Sequence, residues 1–244
     1  MACPICEHAT DAEDRFCRHC GVPITGEESQ ELVLRAFRLQ RRGKLKEAVE
    51  EYHKALEKDH HHVEAHYGLG RTLYSLGELS EAIIAFQKAL ALEPAFLGAL
   101  FQLSICYYRR CMVKEAIEAL EEILEINPDY LPAHYRLGVA YFHQGKLDKA
   151  MSHFREVVER KTEYTVAHYH LGVIFERKRL FDEAIDEFSQ VVAANPNDAS
   201  GHYHLGLCYA NKAMVDIAVG EYVRAIQLDP DDQASLEELK KLQR

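Results

Sequence analysis

An alanine returns every 34 residues along most of this chain: Ala48, Ala82, Ala116, Ala150, Ala184 and Ala218. An ordinary globular core has no use for one small residue at so regular an interval. The chain is therefore expected to fold as a stack of like supersecondary units. Other positions keep the same step. Leu-Gly pairs fall at Leu69-Gly70, Leu137-Gly138, Leu171-Gly172 and Leu205-Gly206, and prolines at Pro94, Pro128, Pro196 and Pro230. Such a unit cannot bury its apolar face alone, so stacking joins the faces into one elongated core. The result is a solenoid, whose broad surface suits binding better than catalysis.

Composition narrows the reading further. Hydrophobic residues make up 48% of the 244, enough to build a core and to exclude a disordered chain. No apolar run reaches transmembrane length, and the N-terminus lacks the basic-then-apolar layout of a secretion signal. A cytoplasmic protein without membrane insertion is expected. With 39 acidic against 29 basic side chains the net charge is −10. That argues against a general nucleic-acid binder, because phosphate contacts need a basic footprint.

The first twenty residues stand apart. They read MACPICEHATDAEDRFCRHC, with Cys3 and Cys6 forming one close pair and Cys17 and Cys20 another. Each pair can grip a metal ion from a tight turn, and the two together complete a closed tetrahedral thiolate site for structural Zn²⁺. Few large apolar residues occur there, so metal binding would drive the segment's folding. Two disulfides would need an oxidising compartment, and a redox-active pair would need a strand–helix setting that is missing. Phe16-Cys17-Arg18-His19-Cys20-Gly21 resembles the second half of short bacterial zinc ribbons, whereas Glu7 stands where such ribbons often place glycine. Four thiolates on one Zn²⁺, with Glu7, Asp11, Glu13 and Asp14 around them, would repel a phosphate backbone. Residues 21–28 read as a linker.

Setting the recurring alanine at position 20 divides the remainder into six units: 29–62, 63–96, 97–130, 131–164, 165–198 and 199–232. Apolar spacing of three and four within each half predicts helix, and the prolines end each second helix. The small residues allow two helices to approach closely, and the large ones fill the seam between units. This pattern resembles the tetratricopeptide repeat, and the resemblance covers residues 29–232. It implies an all-α, right-handed superhelix of helix-turn-helix pairs preceded by the zinc knuckle. The first unit has Arg35-Ala36 in place of Leu-Gly and His60 in place of proline. The third has Ser104 and Cys111 at its two glycine positions, and the fourth has Thr162 where proline is expected. Residues 233–244, bearing Leu236, Leu239 and Leu242, suit a capping helix. Cys106, Cys111 and Cys208 are expected to be small core residues, with no base beside them for nucleophilic work. His66, His134, His168 and His202, each at position 4, are expected to pack in the seam.

The resemblance also implies that positions 2, 5, 6, 9, 12 and 13 of each unit line a concave groove. Position 5 supplies Tyr67, Phe101, Tyr135, Tyr169 and Tyr203; position 12 supplies Tyr74, Tyr108 and Phe142. Tyrosine offers contact area at low entropy cost, although it is also this repeat's average preference. The same positions hold Arg41, Arg71, Arg109, Arg136 and Arg177 against Glu64 and Glu176. A basic lining in an acidic molecule would focus potential on an anionic guest. His143, His170 and His204 sit in that lining and would add charge when protonated. The carboxylate clamp of chaperone-binding relatives is not reproduced: only Arg136 fits it, flanked by Phe101 and Ile105.

The expected function is that of a non-enzymatic adaptor that holds an acidic peptide with aromatic or aliphatic anchors. No phosphate-cradling loop or nucleophile–base pair points to an enzyme. The alternative is a zinc-ribbon regulator of nucleic acid or the transcription machinery, with the repeats as its control module. A neighbouring copy's terminus, bearing Leu236-Glu237-Glu238-Leu239, is a second candidate guest for the groove.

Overall fold

A computed structural model of the chain describes residues 28–242, and every regular element among them is a helix. The two compact units divide between Pro128 and Asp129. The first contains α1 (Glu28–Arg41), α2 (Leu45–Lys58), α3 (Val63–Leu76), α4 (Leu79–Leu92), α5 (Leu97–Arg109) and α6 (Val113–Ile126). The second contains α7 (Leu131–His143), α8 (Leu147–Arg160), α9 (Thr165–Arg177), α10 (Phe181–Ala194), α11 (Ala199–Asn211), α12 (Val215–Leu228) and α13 (Gln233–Leu242). The six helix pairs follow the 34-residue divisions. Residues 1–27, and with them Cys3, Cys6, Cys17 and Cys20, lie outside the described residues.

Helices this short are marginal alone. Asp198 caps α11 by accepting from the Gly201 backbone N–H at 2.8 Å, whereas α2 through α10 begin without a side-chain cap. Burial of one face must therefore hold them. The recurring alanines are all fully buried. Repeats two, four, five and six then pair a glycine with one large ring. A Cβ added to Gly70, Gly138 or Gly172 would come within 2.7 Å of Phe86, Phe154 or Phe188, and one on Gly206 within 2.8 Å of Tyr222. The partner stands sixteen residues along the chain in every case. Glycine is needed there because the ring occupies the space of a side chain. Burying each ring contributes about 2 kcal/mol.

The turns inside the helix pairs are also periodic. Gly43, Gly77 and Gly145 take a left-handed backbone, and so do Cys111, Arg179 and Ala213 in the other three repeats. Cys106 and Cys208 are buried as expected. Cys111 is exposed, because it occupies this turn and has no place in the core.

Within each unit the first helices lie alongside one another, α1 with α3, α3 with α5, and α9 with α11. The second helices make no comparable contact with each other. These first helices therefore lie closer to one another than the second helices do. At the C-terminus α13 packs on α12 and α11, and Leu236, Leu239 and Leu242 are half-buried against their own chain.

Candidate functional site

The aromatic and arginine side chains picked from the sequence meet on the first-helix faces. In the first unit, Tyr67 on α3 tilts against Phe96, with ring centroids 4.7 Å apart. The Arg71 guanidinium lies 5.7 Å from the Tyr67 centroid. Arg109, at the end of α5, lies 4.9 Å above Tyr74 at the end of α3. Tyr67, Tyr74, Phe101 and Tyr108 are half-buried, while Arg71 and Arg109 are exposed. Each stacked guanidinium thus keeps its hydrogen-bonding edge in solvent.

The second unit repeats the theme. Arg177, ending α9, lies 4.5 Å above Phe142, near the end of α7. Arg136 on α7 is exposed. Tyr135, Tyr169 and Tyr203 are half-buried one repeat apart, and burial raises the Tyr135 and Tyr203 hydroxyl pKa values. The acids near these faces are already engaged. Glu176 accepts from His204 Nδ1 at 2.7 Å. Glu64 pairs with His62 at 3.1 Å, and that hydrogen bond holds its carboxyl below the usual carboxylate range.

Two lining histidines do more packing than the sequence implies. His170 stacks on Phe154 at 4.8 Å and 6°, and His204 stacks on Phe188 at 4.8 Å and 8°. Each imidazole covers the ring of the preceding repeat. Burial, aided by His143, holds the His170 pKa below its ordinary value, so it gains charge only at a lower pH than an exposed histidine would. His204 is tied to Glu176 and lies 3.1 Å from the Tyr169 hydroxyl.

The position-4 histidines are buried, as expected, and most of them occupy hydrogen-bonded seats. His168 Nδ1 meets Glu187 Oε2 at 2.6 Å, while Nε2 donates to the Thr162 carbonyl at 2.9 Å. His202 repeats this with Glu221 at 2.6 Å and the Pro196 carbonyl at 3.2 Å. His134 meets His153 instead, at 3.1 Å. Thr162 therefore serves the same carbonyl role as proline in the next repeat. The carboxylates escaped the sequence reading, yet Glu187 and Glu221 each follow their histidine by nineteen residues. That recurring interval was the available signal. Among the described residues no group of three or more His, Cys, Asp or Glu side chains could hold a metal ion.

Tetratricopeptide repeat models match residues 34–95, 112–170 and 141–208. The chain belongs to the tetratricopeptide repeat family, whose members are generally protein-interaction modules. No curated protein sequence matches it significantly. Among solved structures it is similar to YrrB, described as a protein of this family with an unusual peptide-binding site. The identity there is 25% and the TM-score 0.70, over 78% of this chain and 97% of that one. MamA from Desulfovibrio magneticus RS-1 aligns at 25% identity and TM-score 0.66, over 72% and 99%. PilF of Pseudomonas aeruginosa shares the fold alone, at 17% identity and TM-score 0.72, over 87% and 97%. Among the described residues no helix is long and apolar enough to cross a membrane.

Proposed function

We propose that the protein is a non-enzymatic adaptor whose first-helix faces bind an acidic segment of a partner protein. The observation that carries this reading is the exposed guanidinium stacked on a half-buried aromatic ring, found at Arg109 over Tyr74 and at Arg177 over Phe142. Each pair offers an apolar platform beside a charge whose nearby acids are already paired. An anionic segment with aromatic or aliphatic anchors fits both features. The peptide-binding description of YrrB supports a peptide as the class of guest.

Charge reversal tests it. Arg109→Glu, Arg136→Glu and Arg177→Glu should each weaken capture of an acidic partner from the native host and reduce the salt dependence of binding. Unchanged capture by the triple variant overturns the reading. The zinc site at Cys3, Cys6, Cys17 and Cys20 is proposed beside it, on ligand spacing alone. One zinc per chain by elemental analysis, lost in Cys17→Ser, is the expected result; a metal-free wild type purified without chelator would refute it.

A further inference from the structure

Repeats two, four, five and six all carry a buried histidine at position 4, but only repeat two leaves that ring half-satisfied. Nineteen residues beyond His66 stands Ala85, where Glu187 and Glu221 follow His168 and His202. His66 is 7% exposed, its Nε2 donates to the His60 carbonyl at 3.0 Å, and its Nδ1 has no partner. Burial holds this ring below the ordinary histidine pKa. At neutral pH its single proton therefore sits on Nε2, and Nδ1 is a bare acceptor.

His66 and Ala85 both line a cleft of about 860 Å³ between α2 and α4. Val49, His53 and Leu56 face it from α2; Ile84, Ala85 and Lys88 face it from α4. Both sets fall at helical spacing, so each helix turns a continuous stripe to the cleft. Ile84 remains 52% exposed. From Val49 to Glu57 the α2 wall runs about 12 Å, a little over two helical turns, and His60 and His61 carry the lining past the end of the helix. Glu57, Glu78 and Glu81 stand at the cleft against the single cation Lys88. The corresponding wall of α10 carries Asp186 and Glu187 in place of Ile84 and Ala85, and that of α6 keeps Ala119 but has Glu118 in place of Ile84.

We propose that the cleft between α2 and α4 is a docking groove for an amphipathic partner helix whose aliphatic seam is flanked by lysine or arginine. The seam covers Val49, Leu56 and Ile84 above the buried His66 ring, and the basic flanks meet Glu57, Glu78 and Glu81. This site lies on the second helices and selects a basic guest. It is independent of the acidic segment assigned to the first-helix faces.

The test uses the full chain and two labelled helical peptides of about sixteen residues. Both carry the same leucine seam; one is flanked by lysines and the other by glutamates. By fluorescence anisotropy the lysine peptide should bind at least roughly tenfold more tightly. Ala85→Gln places an amide where repeats five and six place a carboxylate, so it pairs Nδ1 and fills the groove without changing charge. It should cut affinity for the lysine peptide by about tenfold or more, which general attraction to an acidic chain does not explain. Ile84→Gln, on an exposed wall, should do the same and decides the matter if Ala85→Gln does not fold by circular dichroism. Arg109→Glu and Arg177→Glu should leave this binding undiminished. The proposal falls if the folded groove variants bind as the wild type does, if the glutamate peptide binds equally well, or if Arg109→Glu abolishes binding.

Discussion

The two compact units share a frame and differ in how they fill it. In both, a fully buried alanine marks each second helix and a glycine lies under an aromatic ring sixteen residues away. In the unit from residue 129 onward, buried imidazoles meet Glu187, Glu221 or His153. In the earlier unit His66 meets Ala85, and an apolar cleft opens beside it. The small-and-large pairs build the stack, and they tolerate little change. The polar seat at the seam is a separate choice, and where it is vacated the repeat exposes surface for another molecule. Breaking each half of this contrast should therefore give effects of different size.

The frame should break hardest. A serine at Gly172 would put its Cβ within 2.7 Å of the fully buried Phe188 ring. Gly172→Ser should cost about 2–3 kcal/mol in urea unfolding. Repeat three carries Ser104 and Leu120 at these two positions, both buried. Adding Phe188→Leu to Gly172→Ser should accordingly recover part of the loss, a coupling of roughly 1 kcal/mol or more. A neutral Gly172→Ser, or strictly additive variants, would show that the close approach is not what requires glycine.

This frame was legible in the sequence because it repeats. Six alanines and four Leu-Gly pairs at one interval outweigh any single residue's propensity. The aromatic and arginine rows were legible for the same reason. The fillings were not. Whether His170 offers charge or packs depends on Phe154 sixteen residues earlier, and whether His66 is satisfied depends on Ala85 nineteen residues later. Such contacts join helices across a turn, so a reading of faces along one helix passes over them. Cys111 shows the opposite failure: its place in a glycine position was visible, yet its small size suggested core.

The seat comes next in size. Glu221→Ala would strip the carboxylate from His202 Nδ1 inside a packed seam, at a cost of about 1–3 kcal/mol. Ala85→Gln should move the first unit the other way, by roughly 1 kcal/mol, since it supplies the missing partner of His66. Both are read from urea unfolding. If Ala85→Gln destabilises a folded chain while Glu221→Ala is silent, the two seams are not versions of one design.

The left-handed turns sharpen the comparison at a smaller scale. Gly43 and Gly77 serve the first unit's turns and Gly145 the second's, while Cys111, Arg179 and Ala213 hold the same conformation with a Cβ, at φ of 59°, 60° and 59°. Nothing lies within 4 Å of a Cβ on Gly43, Gly77 or Gly145, so any penalty there comes from the backbone alone. Gly145→Ala should lose about 1 kcal/mol and Arg179→Gly should gain a similar amount, less the extra entropy of glycine in the unfolded chain. Equal stability of the wild type and both variants would remove backbone strain as a difference between repeats.

The smallest expected effect concerns position 6, which again separates the units. Repeat two has Gly68 there, close under Tyr52, and repeat five has His170 stacked on Phe154. Burial holds the folded His170 pKa below 6.5, with His143 adding to the same direction. The unfolded chain therefore takes up a proton before the folded one does as pH falls. The stability tied to a neutral His170 is complete above about pH 6.5 and is lost as the pH drops from there through the folded value. His170→Phe keeps a flat ring on Phe154 and removes the titration. Urea unfolding at pH 7.5 and 5.5 should show a smaller acid loss for His170→Phe than for the wild type, because the remaining titrating groups are common to both. Identical losses would mean that the stacked imidazole is as free to protonate as one in solvent, and that this face can gain positive charge from it after all.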